Sequence, residues 1–259
     1  MANNDTIKKT VIVTVLLCFV CSVIVSTAAV LLKPLQVANQ ELDFKRNILS
    51  AAGLLEAGGD VEQIFSQRVS MRAVDLDSGE YTDEVNPATY DQRAAAKDAA
   101  LSTNLTKKED IAGISRRENY SLVYLVENES GQLSKIILPI KGYGLWSTLY
   151  GFIALEADAN TVAGLGFYEH GETPGLGGEV DNPRWKANWE GKKVYGDDGS
   201  VALTVIKGQV DPSSSRAEHQ VDGLSGATLT ARGVANLVQF WLGESGFKPF
   251  LDKLQKGEA

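Results

Sequence analysis

Cysteine is nearly absent from this chain: two among 259 residues, Cys18 and Cys21, both inside the first apolar run. The remainder therefore holds no thiol for a disulfide, a Cys-ligated zinc or a thiolate-held iron–sulfur cluster. In a helix the pair stands nearly a turn apart with no charged neighbour to depress a thiol pKa. It reads as small apolar filler or a helix–helix contact. Histidine is as scarce, with only His170 and His219, too few for a His-rich metal site. A Ser-His-Asp triad would have to use one of them, and no Gly-x-Ser-x-Gly elbow is present. Positive charge is in deficit, 25 Lys+Arg against 33 Asp+Glu, for a formal charge of -8. That balance argues against a nucleic-acid partner, which needs a basic stripe, and against peripheral attachment to anionic lipid. There is also no Gly-x-Gly-x-x-Gly after a strand and no P-loop lysine, so dinucleotide or nucleoside-triphosphate binding by those routes is unsupported.

What is present begins with Thr10–Leu32, a run without a charged residue. As a helix it is roughly 34 Å long, enough for a hydrocarbon layer of about 30 Å with some tilt. Ser26-Thr27-Ala28 resembles a signal-peptide cleavage site, but the stretch exceeds the usual apolar core of such peptides. It reads as an uncleaved anchor. Lys8 and Lys9 precede it and should keep the short N-terminus cytoplasmic. The remainder then lies outside the cytoplasm, and nothing later is long and apolar enough to span again.

Past the anchor, residues 36–52 read as a helix continuing or restarting after Pro34, and Val61–Phe65 as a short helix. Arg68–Val74 is a strand candidate, and residues 75–117 are polar and irregular. From Tyr120 the pattern turns to strands. Ser121–Val126 and Leu133–Ile140 flank the turn residues Asn128–Gly131, and Ser147–Glu156 and Thr161–Tyr168 flank Ala157–Asn160. Arg184–Glu190 reads as a short helix and Val201–Ile206 as a strand. A final helix from Ser225 places Val234, Leu237, Val238, Trp241 and Leu242 on one apolar face. The expected class is α+β, with an antiparallel sheet and flanking helices behind a single anchor.

Three stretches are suited to chemistry. Lys141-Gly-Tyr-Gly-Leu-Trp146 pairs two glycines, which let a backbone approach a ligand closely, with Leu145 and Trp146, an apolar pair suited to a flat ring. Glu172-Thr-Pro-Gly-Leu-Gly-Gly178 is a loop rich in exposed backbone donors. Asp222-Gly-Leu-Ser-Gly-Ala-Thr-Leu-Thr230 feeds the last helix. Orphan N–H groups and the dipole make a helix start a phosphate site. Ser225 and Thr230 can cap that helix or meet a phosphate oxygen, and a plain Ser/Thr cap is the competing reading. The first two stretches also read as a turn with a core tryptophan and as an ordinary loop.

Asp-x-x-Ser/Thr-Gly-Ala-Thr is the recognition signature of flavin transferase, and Asp222, Ser225, Gly226, Ala227 and Thr228 match every specified place. With the two upstream stretches in this order behind one anchor, the chain resembles the C-type subunit of the Na⁺-translocating NADH:quinone oxidoreductases along nearly its whole length. The resemblance implies an electron relay that carries FMN through a phosphoester to Thr228. Asp222 would serve recognition by the transferase, and Ser225, Gly226, Ala227 and Thr230 would surround the phosphate. It implies a flavin lying between Leu145-Trp146 and the loop of Glu172, Thr173, Leu176 and Gly177. Lys207 is a candidate for the flavin's polar edge or else a solvated strand-end lysine. No catalytic acid or base and no metal site are expected. Residues 1–9 would be cytoplasmic, 10–33 the anchor in the bacterial inner membrane, 34–118 a helical and irregular lead-in, and 119–259 a periplasmic FMN-binding domain. Partners would be the other complex subunits, flavin transferase and membrane lipid. Two alternatives stand beside this: the G-type subunit of an Rnf-type electron-transport complex, and a membrane-anchored binding or assembly module without a redox role.

Overall fold

A computed structural model describes residues 6–55 and 59–258, which fall into two units, one ending at Phe44 and the other beginning at Lys45. The first unit is one stretch of helix α1, Ile7–Ala51, which continues through Pro34 rather than restarting. Its apolar part has a mean hydropathy of 2.8, none of it buried by protein, and is long enough to cross a membrane. The Thr14 and Ser22 hydroxyls donate to the carbonyls of Thr10 and Cys18, at 2.9 and 2.7 Å. Such local bonds satisfy polar side chains where no water is available.

The second unit begins with the last turns of α1, where Ile48 and Leu49 are buried. Helix α2, Val61–Arg68, is capped by Asp60, whose side chain accepts from the N–H groups of Glu62 and Gln63. Then come β1, Val69–Asp75, and the short β2, Glu80–Tyr81. The polar stretch that follows holds helix α3, Gln92–Ala95, and the paired strands β3, Ser102–Asn104, and β4, Arg116–Glu118. Strands β5, Tyr120–Glu127, β6, Leu133–Tyr143, β7, Thr148–Glu156, and β8, Val162–Glu169, form the antiparallel meander expected from the hairpin signals. The sheet order is β2-β1-β5-β6-β7-β8. β1 pairs with β5 along its whole length, from Val69 against Val126 to Asp75 against Tyr120.

Beyond the sheet lie helix α4, Pro183–Ala187, the two-residue parallel pair β9, Thr204–Val205, with β10, Gln220–Val221, and helix α5, Thr228–Trp241. A last helix, α6, Lys248–Lys256, is not signalled by the sequence pattern. The strand expected over 201–206 shrinks to two residues: Val201 makes only an isolated bridge with Tyr195, Leu203 is buried in the core, and Thr204 and Val205 alone form a continuous ladder. Helix α5 starts at Thr228, not at Ser225, because Gly226 sits at φ 72°, outside helical space.

Period-2 alternation gives the sheet two faces. Ile136, Leu138, Leu149, Ile153 and Leu155 join the core with Val234, Leu237, Val238 and Trp241 of α5. The opposite face carries an aromatic row in which Tyr124 meets Phe65 at 6.4 Å and Phe152 at 5.9 Å, and Phe152 meets Tyr168 at 5.2 Å. Burial pushes the Tyr124 and Tyr168 hydroxyls up, that of Tyr168 to about 12.

The polar stretch 75–117 is bound to this sheet rather than adrift on it. Glu118 is fully buried and pairs with Lys141 of β6 at 2.6 Å, while Gln92 donates to its second oxygen at 2.7 Å. Such a pair is held in place because losing either partner strands the other charge. Arg93 grips Glu169 through two bonds, 2.7 and 2.8 Å, and lies 3.7 Å from the Tyr150 ring centre.

Candidate functional site

The antiparallel pairing of β6 and β7 ends at Tyr143 against Thr148. The four residues between them make a tight turn in which the Gly144 N–H donates to the Ser147 carbonyl at 2.9 Å. Stretch 75–117 braces this turn: the Tyr143 N–H donates to the Ala112 carbonyl at 2.7 Å. Helix α5 closes on it from the other side. A Cβ on Gly233 would stand 2.5 Å from the Tyr143 oxygen, so only glycine admits this approach.

Glu172 is the centre of the arrangement. It is 5% exposed. Its Oε1 accepts the N–H groups of Leu145, Trp146 and Ser147 at 3.0, 2.9 and 3.4 Å. Its Oε2 accepts the Thr230 hydroxyl of α5 at 2.6 Å. One carboxylate thus joins the turn, the glycine-rich loop and the last helix. Burial pushes its pKa up, but the Thr230 hydroxyl and the three N–H groups outweigh burial and hold it below the usual glutamate value. Gly144 and Gly177 leave room for it, since a Cβ on either would come within 2.6 Å of a carboxylate oxygen. The loop has its own ties. His170 Nδ1 accepts the Glu172 N–H at 3.2 Å, its Nε2 meets Asp181 at 2.8 Å, and the Ser147 hydroxyl accepts the Gly171 N–H at 2.6 Å.

Around this centre the surface is apolar and open. Leu145 is 38% exposed, Trp146 66%, Leu176 45% and Leu229 52%. Leu176 leans on the start of α5, where a Cβ on Gly226 would be 3.0 Å from its Cδ2. Thr228 is exposed, and neither its hydroxyl nor that of Ser225 is hydrogen-bonded among the described residues. The N-cap of α5 is Ala227, and no side chain caps the first turn. The plain Ser/Thr cap therefore does not form here, and the orphan N–H groups of that turn stay available to an anion.

The sequence profile of the FMN-binding domain family matches residues 144–243, from the turn at Gly144 to just past α5. The C-type subunit of the Na(+)-translocating NADH-quinone reductase of Pseudomonas aeruginosa is 56% identical over 262 residues, covering 100% of both chains. This chain belongs to that C-type subunit family. The Yersinia pestis member is 50% identical, with 98% of this chain and 96% of that one covered. The crystal structure of NqrC from Shewanella oneidensis superposes with a TM-score of 0.78 at 38% identity, covering 85% of this chain and 99% of that one. The C-type subunit of Parabacteroides distasonis reaches 0.65 at 28% identity, with 85% and 96% covered. Full-length identity at this level displaces the Rnf-type alternative.

The fold of this family brings together most of the residues expected from sequence. Leu145, Trp146, Glu172, Thr173, Leu176, Gly177, Gly226, Ala227 and Thr230 converge on the junction of turn, loop and helix start. Two of them take roles other than ligand contact. Thr230 is fully buried and its hydroxyl is engaged by Glu172, so it does not reach a phosphate; Glu172 faces inward to backbone donors. Asp222 holds the neighbouring segment: its Oδ1 accepts the Val210 N–H at 2.8 Å and its carbonyl accepts the Trp185 indole N–H at 2.8 Å. Lys207 and Thr228 line one groove of about 290 Å³, whose lining does not include Leu145 or Trp146. Arg232 lines the same groove and does not stand out in the sequence; its one signal there is the i,i+4 spacing from Thr228 on a helix face. These residues fit FMN. An open apolar wall suits an isoalloxazine ring, and an uncapped helix start with an exposed hydroxyl suits its phosphate.

Proposed function

We propose that this protein holds FMN through a phosphoester on Thr228 and relays electrons between redox centres of its partner subunits. The observation that carries the reading is the start of α5: an exposed threonine, its hydroxyl without a partner among the described residues, on a first turn that no side chain caps. Flavin transferase would join the Thr228 oxygen to the flavin-side phosphorus of FAD. The bond from that phosphorus to AMP breaks, and AMP departs carrying the hydroxyl proton. When bound, FMN supplies the electron exchange; the protein's part is to position and tune it. Leu145, Trp146 and Leu176 cover the ring and exclude water from one side. Thr173, Gly177, Ser225, Gly226 and Ala227 shape the backbone around it, and Asp222 keeps the recognition segment in place for the transferase. Lys207 sets a positive charge near the cofactor, which favours its electron-rich form.

Lys8 and Lys9 hold the N-terminus in the cytoplasm, α1 anchors the chain in the inner membrane among lipid and the other subunits, and the flavin-bearing domain is periplasmic. Na⁺ passage belongs to multi-span partners, since the span carries no intramembrane charge.

Full-length chain co-produced with flavin transferase should give a fluorescent band on a denaturing gel under ultraviolet light. A dark band with the transferase present overturns covalent attachment. Alkaline phosphatase fused after Ala259 should be active and β-galactosidase at the same place inactive; the reverse pattern overturns the orientation.

A further inference from the structure

The groove beside Thr228 differs in charge from its surroundings. It is lined by Thr204, Lys207, Thr228, Arg232, Asn236 and Gln239, among others, and no carboxylate of the described residues lines it. Three other surface hollows of the second unit each hold at least one: Asp197 and Glu218 in one, Asp222 in another, Glu190 and Glu218 in the third. In a chain with net charge -8, a hollow with two cations and no acid is a local reversal. Arg232 is exposed and has no ion pair or hydrogen bond among the described residues. Lys207 lines the same groove from the segment that follows β9.

Arg232 follows Thr228 by four residues on α5, so both side chains rise from one helix face, one turn apart. We infer that Arg232 is the clamp for the phosphodiester formed when the flavin is attached to Thr228, an inference that rests on that attachment. A phosphate linking threonine to the ribityl chain keeps one negative charge and two free oxygens. The guanidinium is planar, permanently charged and matched to two oxygens at once. No other group among the described residues engages it. Arg232 thereby fixes the tether's direction, so that the flavin does not swing from a single bond. Before attachment its charge has no partner among the described residues.

The test compares flavin-bearing and bare full-length chain, made with and without the transferase, for wild type, Arg232→Gln and Arg232→Lys. The bare proteins should melt alike, because an exposed, unpaired side chain contributes little to folding. Flavinylation should raise the melting temperature of wild type. Arg232→Gln should lose at least half of that rise, and Arg232→Lys should fall between. The wild-type rise should shrink as salt increases from about 0.05 to about 0.5 M, as an exposed charge pair requires, and the glutamine variant should be much less sensitive. An equal rise with equal salt dependence in wild type and Arg232→Gln overturns the clamp alone. A wild-type chain that takes no flavin overturns the clamp and the attachment together, and the gel band tells the two failures apart.

Discussion

Thr228→Ala should abolish the proposed covalent flavin and leave the fold standing. The hydroxyl is the only atom through which this residue would bond the phosphorus; Thr228 is exposed and its hydroxyl makes no hydrogen bond among the described residues. Removing it breaks no hydrogen bond and opens no cavity, so stability should move by no more than about 0.5 kcal/mol. On a denaturing gel the variant should be dark beside a fluorescent wild type, with an unchanged melting curve for the bare chain. Thr228→Ser keeps the nucleophilic oxygen and should retain fluorescence at reduced yield. A fluorescent alanine variant would move the attachment to another residue, with Ser225 the next exposed hydroxyl in the motif.

Glu172 should have the largest effect on the protein itself. Glu172→Ala leaves the N–H groups of Leu145, Trp146 and Ser147 and the buried Thr230 hydroxyl without their acceptor. Bonds to a charged acceptor contribute about 1.5–3 kcal/mol each, so a loss of at least about 3 kcal/mol is expected in chemical denaturation. Glu172→Gln is the milder companion. Its oxygen can still accept from the three backbone donors, while its amide nitrogen donates to the Thr230 oxygen with the hydroxyl turned round, for a cost of about 1 kcal/mol.

The same carboxylate sets a pH dependence. Its folded pKa lies below the usual glutamate value, because the hydrogen bonds it accepts outweigh its burial. A depressed folded pKa means that its contribution is fully present above the unfolded value, about 4.3. The contribution is then lost as pH falls through the folded value. Stability measured between about pH 6 and pH 3 should therefore fall less steeply in Glu172→Gln than in wild type. Parallel profiles would show that Glu172 does not carry this share of the acid sensitivity.

Much of the fold is legible because it is local. The charge-free run marks the helix that can cross a membrane, and β-rich runs around turn residues mark the β5–β6 and β7–β8 hairpins. The 3.6-residue stripe marks the buried face of α5, where Val234, Leu237, Val238, Trp241 and Leu242 are all fully covered. Helix α6 is hidden because its polar residues mask a short apolar face, and its place is set by Phe250 and Leu251 entering the core. β1 is legible as a strand, but its partner is β5, with the polar stretch between them in sequence. No local pattern encodes a pairing across a loop of that length; it is chosen by what the whole sheet buries.

The attachment motif shows the same division. The sequence alone determines that Asp222–Thr230 has the letters of a flavinylation site, and that a helix follows it. It leaves undecided whether that helix start is open to an anion, since a serine or threonine there is as good a cap as a ligand. Tertiary structure decides it. Glu172, far back in the chain, takes the Thr230 hydroxyl; Gly226 delays the helix until Thr228; Ala227 occupies the cap position. The hydroxyl that could have closed the site is buried by a partner 58 residues away. The Thr228 hydroxyl stands in the open on the first turn of the helix, one turn from an arginine that has no partner among the described residues. Local chemistry lists which groups can bind, and only long-range packing settles which of them are still free to do so.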